Sequence, residues 1–378
     1  MSQSLLLTRE PVVNRNRAIT ANRLIAHAPS VADVVEGLQQ FGEEWPRHHS
    51  VFLSLGKLVP TVDLLEWEMP DNLMVEIPAP TLAHPKTQEL LPRLKAAGIS
   101  TCLSWYTPDT VLPPDGDWRF VIMDQRKPAS PHNSPGLSLA WGLKDTPAFD
   151  DAIHRGFDGA AGWFFLQGNA PAKQLSPSHA QLVRLLNLVR HNADVKEIEA
   201  VLKQDVALSY KLLRYINSAG FGLMCEIQSF RHAVTILGYN NLNKWLSLLL
   251  VTASRDPAAP ALMQASIARG RLMERVGAPF FDKADHDNLF ITGAFSLLPS
   301  LLGTSLADLL GEMSLPEPIT DALINDQGSY APFLNLARAC ERFDPTRLQT
   351  VAAELTLDHE SINRALLAGL QFADSLQA

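Results

Sequence analysis

Hydrophobic positions change their rhythm along the chain. Before residue 168, short apolar runs alternate with segments of helical spacing: VFLSL at 51–55, LMVEI at 73–77, ISTCL at 99–103, FVIM at 120–123 and GWFFL at 162–166. Runs this short, rich in Val, Ile, Phe and Leu, predict buried strands. Between two of them Leu90, Leu91, Leu94 and Ala97 fall at helical spacing, and Gly98 supplies a stop signal. Strand, helix, strand in this order predicts parallel strands joined by helical crossovers. Residues 107–135 are rich in proline and aspartate and predict long loops.

From Ser176 onward the pattern predicts helices only. Leu182, Leu185, Leu186 and Val189 form one apolar stripe, and Asp194 followed by Glu197 opens a helix burying Ile198, Val201 and Leu202. Asp205 starts the next, with Leu208, Leu212, Leu213 and Ile216 inside, and Ser229 starts another that carries Ala233, Val234 and Leu237 to a stop at Gly238. Six of the seven tryptophans precede residue 170, so the two halves fill their cores differently. The stretch 168–178, GNAPAKQLSPS, has the composition of a linker and sets the expected domains at 1–172 and 173–378.

Composition narrows the functional classes. A chain of 378 residues with 46% hydrophobic and 19% charged residues is globular, and its net charge of −8 argues against a general polyanion binder. Arg231, Lys244, Arg255, Arg269, Arg271 and Arg275 read as ordinary helix-surface charge, so nucleic acid is not an expected partner. Cys102, Cys225 and Cys340 have no C-x-x-C spacing, which predicts neither a disulfide framework nor a zinc knuckle and fits a reducing cytoplasm. The apolar run WLSLLLV at 245–251 is far shorter than the roughly 20 residues of a membrane span, and MSQSLLLTRE lacks the basic start of a signal peptide. His48 and His49 precede a strand on which neighbours point to opposite faces, so joint metal ligation is not expected. Cys102 reads as a small core residue, and neither a P-loop nor a G-x-S-x-G elbow is present.

The string LLRYINSAGF at 212–221, followed by SFRHAVTILGY at 229–239, resembles the signature of the HDOD domain. That resemblance implies an all-helical fold related to HD phosphohydrolases but lacking their metal-binding residues. Asn217 and Ser218 follow a long apolar helix; their short polar side chains can hold a helix turn or contact a partner. Where active relatives carry adjacent His and Asp ligands, the segment GAFSLL at 293–298 places Ser296 and Leu297. His286 and Asp287 lie earlier in the chain and read as a polar helix start, with Asp285 or Asp287 as the cap.

The opening segment 9–27, REPVVNRNRAITANRLIAH, resembles the start of EAL domains, barrel-fold phosphodiesterases of cyclic di-GMP, in the branch where a shortened EAL domain is joined to HDOD. VFLSL, LMVEI, a helix ending KAAGI, VIMD and FDGAAGWFF continue the resemblance in order. EAL catalysis is metal-assisted hydrolysis through acidic and amide ligands. The resemblance implies that the motif glutamate is Arg23 here, the asparagine ligand Ser54, the paired aspartates Ser104 and Trp105, the motif lysine Ile122, and two later glutamates Trp141 and Lys144. Ala161 takes the place of a glutamine, His27 of an arginine and Glu10 of another glutamine, while Glu76 and Asp124 keep their carboxylates.

The expectation is a multi-domain protein, α/β plus all-α: a degenerate TIM-barrel-like EAL domain followed by an all-helical HD-related HDOD domain. It is expected to be a non-catalytic, cytoplasmic bacterial signal-transduction protein, without cofactor or metal, acting as a protein–protein interaction platform linked to cyclic di-GMP-type regulation. Regulatory or signalling proteins are the expected partners, self-association is also open to it, and membrane or specific cyclic di-GMP binding is not expected. Trp105, Trp141, Asn217 and Ser218 form the candidate interaction surface. The two tryptophans either make the barrel mouth more apolar or fill the barrel core. The rivals are a receptor that binds cyclic di-GMP without hydrolysis and a metal-dependent phosphodiesterase.

Overall fold

In the computed structural model, which describes residues 5–127, 130–166, 177–202, 229–252, 259–342 and 344–376, the chain divides into two units. One comprises Met1–Gly168 with Arg338–Leu367, and the other Asn169–Ala337 with Ala368–Ala378.

The first unit opens with a hairpin. Strands β1 (Leu6–Asn14) and β2 (Ile19–His27) are joined by a tight turn in which Arg17 N–H bonds the Asn14 carbonyl at 2.9 Å and Arg17 takes φ 60°. Then follow β3 (Ser50–Ser54), β4 (Leu73–Pro78), β5 (Ser100–Ser104), β6 (Trp118–Asp124), β7 (Leu137–Trp141) and β8 (Gly159–Ala161), closing an eight-stranded barrel. Helices α1 (Val31–Leu38), α2 (Pro85–Ala96) and α3 (Thr146–His154) follow β2, β4 and β7.

The expected TIM-barrel-like EAL fold does not hold. A TIM barrel has eight parallel strands, each followed by a helix. Here β1 is antiparallel to both β2 and β8, because a tight turn can join only antiparallel neighbours, and the other neighbouring pairs are parallel. The segments after β5 and β6 hold turns and extended chain, as their proline and aspartate content dictates. The architecture is a closed, mixed eight-stranded barrel followed by helices.

Four of the five predicted strands are β3 to β6. The fifth is displaced: Gly162, at φ 117°, ends β8 after Ala161, and Phe164–Leu166 form a 3₁₀ turn. Strands β1, β2 and β7 lie outside the predicted set.

Each strand gives one side chain to an apolar layer inside the barrel. Val12, Ala21, Phe52, Met74, Cys102, Ile122, Leu139 and Ala161 form a single apolar layer, with Phe120 and Trp141 packed against it. The bulk of Phe52, whose ring meets that of Phe120 at 5.1 Å and a tilt of 44°, is balanced by alanine on β2 and β8.

Beyond Val12–Asn14, which pair with β8, the outer edge of β1 is met by Asn363. Its amide donates to the Leu5 carbonyl at 2.8 Å and accepts from Leu7 N–H at 2.9 Å, standing in for a neighbouring strand. Arg364 of the same segment bonds Glu44 at 2.6 Å and lies over the Phe41 ring.

The second unit is helical: α4 (Pro177–Arg190), α5 (Val195–Leu202), α6 (Phe230–Thr252), α7 (Ala259–Gly277), α8 (His286–Phe295), and the shorter α9 (Leu298–Leu302), α10 (Leu306–Gly311) and α11 (Glu317–Thr320). Of the last three helices, α13 (Pro345–Glu354) belongs to the first unit, while α12 (Ala331–Cys340) and α14 (His359–Ser375) are divided between the two. Asp194 and Ser229 bond the first-turn amides of α5 and α6. Gly238, at φ 72° and ψ 171°, breaks α6 into two runs. A Cβ on Gly293 would stand 2.8 Å from the Arg269 carbonyl and from Gly270 Cα, so α7 and α8 cross with their backbones in contact. No helix among the described residues is long and apolar enough to cross a membrane.

Candidate functional site

Side chains on a strand return to the same face every second residue. Two residues beyond the apolar layer, toward the carboxyl ends of the parallel strands, the barrel therefore presents Arg23, Ser54, Glu76, Ser104, Asp124 and Trp141. On antiparallel β1 the corresponding position is two residues earlier, at Glu10, directly opposite Arg23 in the hairpin register. One strand period thus converts an apolar layer into a polar one.

Arg23 organises that layer. Its guanidinium donates Nε to Glu76 Oε2 at 2.6 Å, Nη2 to Glu76 Oε1 at 2.8 Å and Nη1 to Glu10 Oε2 at 2.7 Å. Arg23 is 3% exposed, Glu76 1% and Glu10 7%, so the three charges are desolvated together. Ser54 donates to Glu76 Oε1 at 3.2 Å, and the Ser104 hydroxyl lies beside the same carboxylate. Burial alone would raise the Glu76 pKa, but the charge and hydrogen bonds of Arg23 hold it below the usual carboxylate range. The same carboxylates keep Arg23 protonated against its own burial.

Two tryptophans close the layer toward solvent. Trp141, half-buried, donates its indole N–H to Glu10 Oε2 at 3.1 Å. The Arg126 guanidinium lies 4.5 Å from its ring centroid, and the Trp105 ring meets it edge-on at 4.8 Å and 77°. Arg126 is itself fixed by Asp124, with Nε to Oδ1 and Nη2 to Oδ2 both at 2.9 Å, and these bonds lower the Asp124 pKa. Trp105 sits just past β5 with φ 58°, a left-handed backbone unusual for a bulky residue, and is 37% exposed.

The barrel end thus brings together Arg23, Ser54, Glu76, Ser104, Trp105 and Trp141, with Glu10 and Asp124. Ile122 and Ala161 lie one layer below, in the core. His27, near the end of the hairpin, contacts Thr8 Oγ1 at 2.9 Å, and burial with the nearby Lys57 charge lowers its pKa to about 4. Sequence reasoning missed Arg126, although its place two residues after the strand-end aspartate is the spacing that lets its side chain turn back. Cys102 lies in the core layer, where burial and then Glu76 push its thiol pKa well up.

A divalent cation does not fit this carboxylate set. Glu10 and Glu76 already bracket one guanidinium, and Asp124 is held by another. Among the described residues no group of three or more His, Cys, Asp or Glu side chains is placed to hold a metal ion.

In the helical unit, Ser296 accepts from Arg269 Nη1 at 2.7 Å and donates to the Gly293 carbonyl at 2.6 Å, while Leu297 is buried. His286 begins α8, with Nε2 at 3.2 Å from the carbonyls of Ala278 and Phe281, and Asp287 pairs with Lys244 at 3.1 Å. The expected side-chain cap is not made: Asp285 instead accepts from the Tyr330 hydroxyl at 2.9 Å. Asn217 and Ser218, the other half of the predicted interaction surface, lie outside the described residues.

Residues 175–296 match the HDOD domain family, so the chain carries an HDOD domain. It is 28% identical over 240 residues to the cyclic di-GMP phosphodiesterase CdgJ of Vibrio cholerae, covering 63% of this chain and 56% of that protein. It is 24% identical over 260 residues to the protein YuxH of Bacillus subtilis, covering 67% of this chain and 63% of YuxH. The chain therefore spans less than two thirds of either relative. An HDOD domain protein of Geobacter sulfurreducens, known by crystal structure, aligns with 55% of this chain and 93% of its own at 14% identity and a TM-score of 0.37. The HDOD match does not extend into the barrel, and the EAL assignment is withdrawn with the TIM-barrel fold.

Proposed function

With the HDOD domain as premise, we propose that the protein is a non-catalytic signal-transduction component whose barrel end docks a regulatory or signalling protein, within cyclic di-GMP-type regulation. One observation carries this reading: Trp105 is held in a left-handed backbone, 37% exposed, with its ring edge-on against Trp141. A strained backbone and an exposed indole both cost stability, and such costs cluster where a surface has work to do. Tryptophan over a base of arginine and aromatic side chains is the composition of a protein-binding hot spot. The buried ion cluster beneath gives the surface a rigid floor and leaves its carboxylates engaged.

Capture from native cell extract with the full chain as bait, identified by mass spectrometry, tests this. Partners retained by the parent and lost by Trp105→Ala support it; identical partner sets refute it.

The name of CdgJ favours a second reading, phosphodiesterase activity on cyclic di-GMP. Turnover of cyclic di-GMP above buffer with Mg²⁺ or Mn²⁺ would establish that reading in place of the first. Saturable binding without turnover would instead favour a receptor.

A further inference from the structure

The helical unit contains a cavity of about 440 Å³ that the barrel-end reading does not use, within the size range of small-molecule sites. Its charged lining residues are Arg190 and Asp287, with amides from Asn192, Asn243 and Asn288 and one aromatic wall from Tyr239. The charges are not balanced. Asp287 belongs to a closed network in which Lys244 bonds Glu274 at 2.6 Å and Asp287 at 3.1 Å, while Arg271 bonds Glu274 at 2.7 Å. Two cations meet two anions there, and Arg190 stands outside it. Its Nη2 is buried without a hydrogen-bond partner, as is the Asn243 Oδ1.

The walls are pre-formed. Asn187, one turn before Arg190 on α4, donates to the Glu312 carbonyl at 2.8 Å and accepts from Ser314 N–H at 2.9 Å. Tyr239 donates its hydroxyl to the Ala193 carbonyl at 2.8 Å, fixing the turn after α4. A buried guanidinium donor and a buried amide acceptor, both unmet in a rigid cavity, describe a ligand with an anionic group and a hydroxyl or amino donor. We propose that this cavity binds a small phosphate ester of nucleotide size, its phosphate on Arg190 and a hydroxyl or amino group on the Asn243 carbonyl. Desolvation, which lowers the Arg190 pKa to about 10 with no compensating partner, is relieved by such an anion.

Calorimetric titration of the full chain with AMP, GMP, ribose 5-phosphate and inorganic phosphate tests this, with adenosine and ribose as neutral controls. Saturable binding of at least one phosphate ester is expected, with no heat from the neutral controls. Arg190→Gln should weaken it about tenfold or more, corresponding to about 1.4 kcal/mol. Asn243→Leu should weaken the esters but spare inorganic phosphate. Without ligand, Arg190→Gln should leave the thermal midpoint unchanged or raise it, since it removes an uncompensated charge. The proposal is overturned if no phosphate ester saturates at millimolar concentration, or if Arg190→Gln binds as the parent does. It is also overturned if Arg190→Gln lowers the unliganded midpoint, which would assign the guanidinium to the end of α4. Should Arg190→Gln not fold, Asn243→Asp, which sets a carboxylate against the incoming phosphate, must abolish ester binding for the proposal to stand.

Discussion

Arg23 grips Glu76 through two parallel hydrogen bonds, at 2.6 and 2.8 Å, between side chains that are both almost fully buried. A desolvated pair of this kind adds little over an apolar replacement, yet losing one partner strands the other. Arg23→Met leaves Glu76 and Glu10 buried without their cation and should cost about 3–5 kcal/mol. Arg23→Met combined with Glu76→Leu should recover a large part of that loss. Urea unfolding of the three proteins measures both; a single-variant loss below about 1 kcal/mol would mean the pair behaves like an exposed one.

Acid should weaken the barrel unit in two adjoining steps. The His27 pKa is lowered from 6.5 to about 4 by burial and then Lys57, so the unfolded chain binds a proton that the folded chain refuses. Stability therefore falls as pH drops between those values, by at most about 3 kcal/mol and less where solvent screens the ring. The Glu76 pKa is depressed, so its contribution is complete above the unfolded carboxylate value and lost as pH falls through the lower folded one. His27→Gln should flatten the thermal midpoint between about pH 7 and 5 and leave the steeper loss below it.

The sequence disclosed four of the parallel strands and hid the hairpin, β7 and the place of β8. Strands β3 to β6 are short apolar runs, each legible alone. In β1 the residues Arg9, Glu10 and Pro11 interrupt any apolar run, and their places are explained only by the register that sets Glu10 opposite Arg23. Arg23 was visible only as the residue standing where the EAL resemblance puts a glutamate, and Glu76 as a carboxylate that the same resemblance keeps. Their joining across β3 depends on the order and register of β2, β3 and β4, which no local pattern encodes. Of the tetrad Trp105, Trp141, Arg126 and Asp124, the two rings and the carboxylate stood out, but the arginine seated over one of the rings did not. The fold class was misjudged because matching strand strings carry no information about strand direction.

Trp105 should separate stability from binding. Replacing it by glycine removes the cost of φ 58°, about 1 kcal/mol, while forfeiting an edge contact of similar size with Trp141. Trp105→Gly should therefore unfold within about 1 kcal/mol of the parent, whereas Trp105→Ala, which keeps the left-handed cost and loses the ring, should be the less stable. Both should lose the captured partner if the indole is the contact. Parallel urea melts and pull-downs check the two halves of this expectation.

Asn363 offers a test of whether one side chain can replace a strand. Its amide supplies a donor to Leu5 and an acceptor for Leu7 at 2.8 and 2.9 Å, and all three residues are buried. Asn363→Ala leaves one buried carbonyl and one buried N–H unmet, at about 1–3 kcal/mol each before water or backbone adjustment. Asn363→Asp keeps the acceptor but sets a carboxylate against the Leu5 carbonyl, so it should be no less damaging near neutral pH. Lowering the pH to protonate that aspartate restores a donor and should narrow its gap to the parent, whereas the gap for Asn363→Ala should hold over the same range. Hydrogen exchange at Leu7 N–H reads the acceptor side directly: protection lost in Asn363→Ala and retained in Asn363→Asp is the expected pattern, and equal protection in all three proteins would show that the edge is held by other contacts.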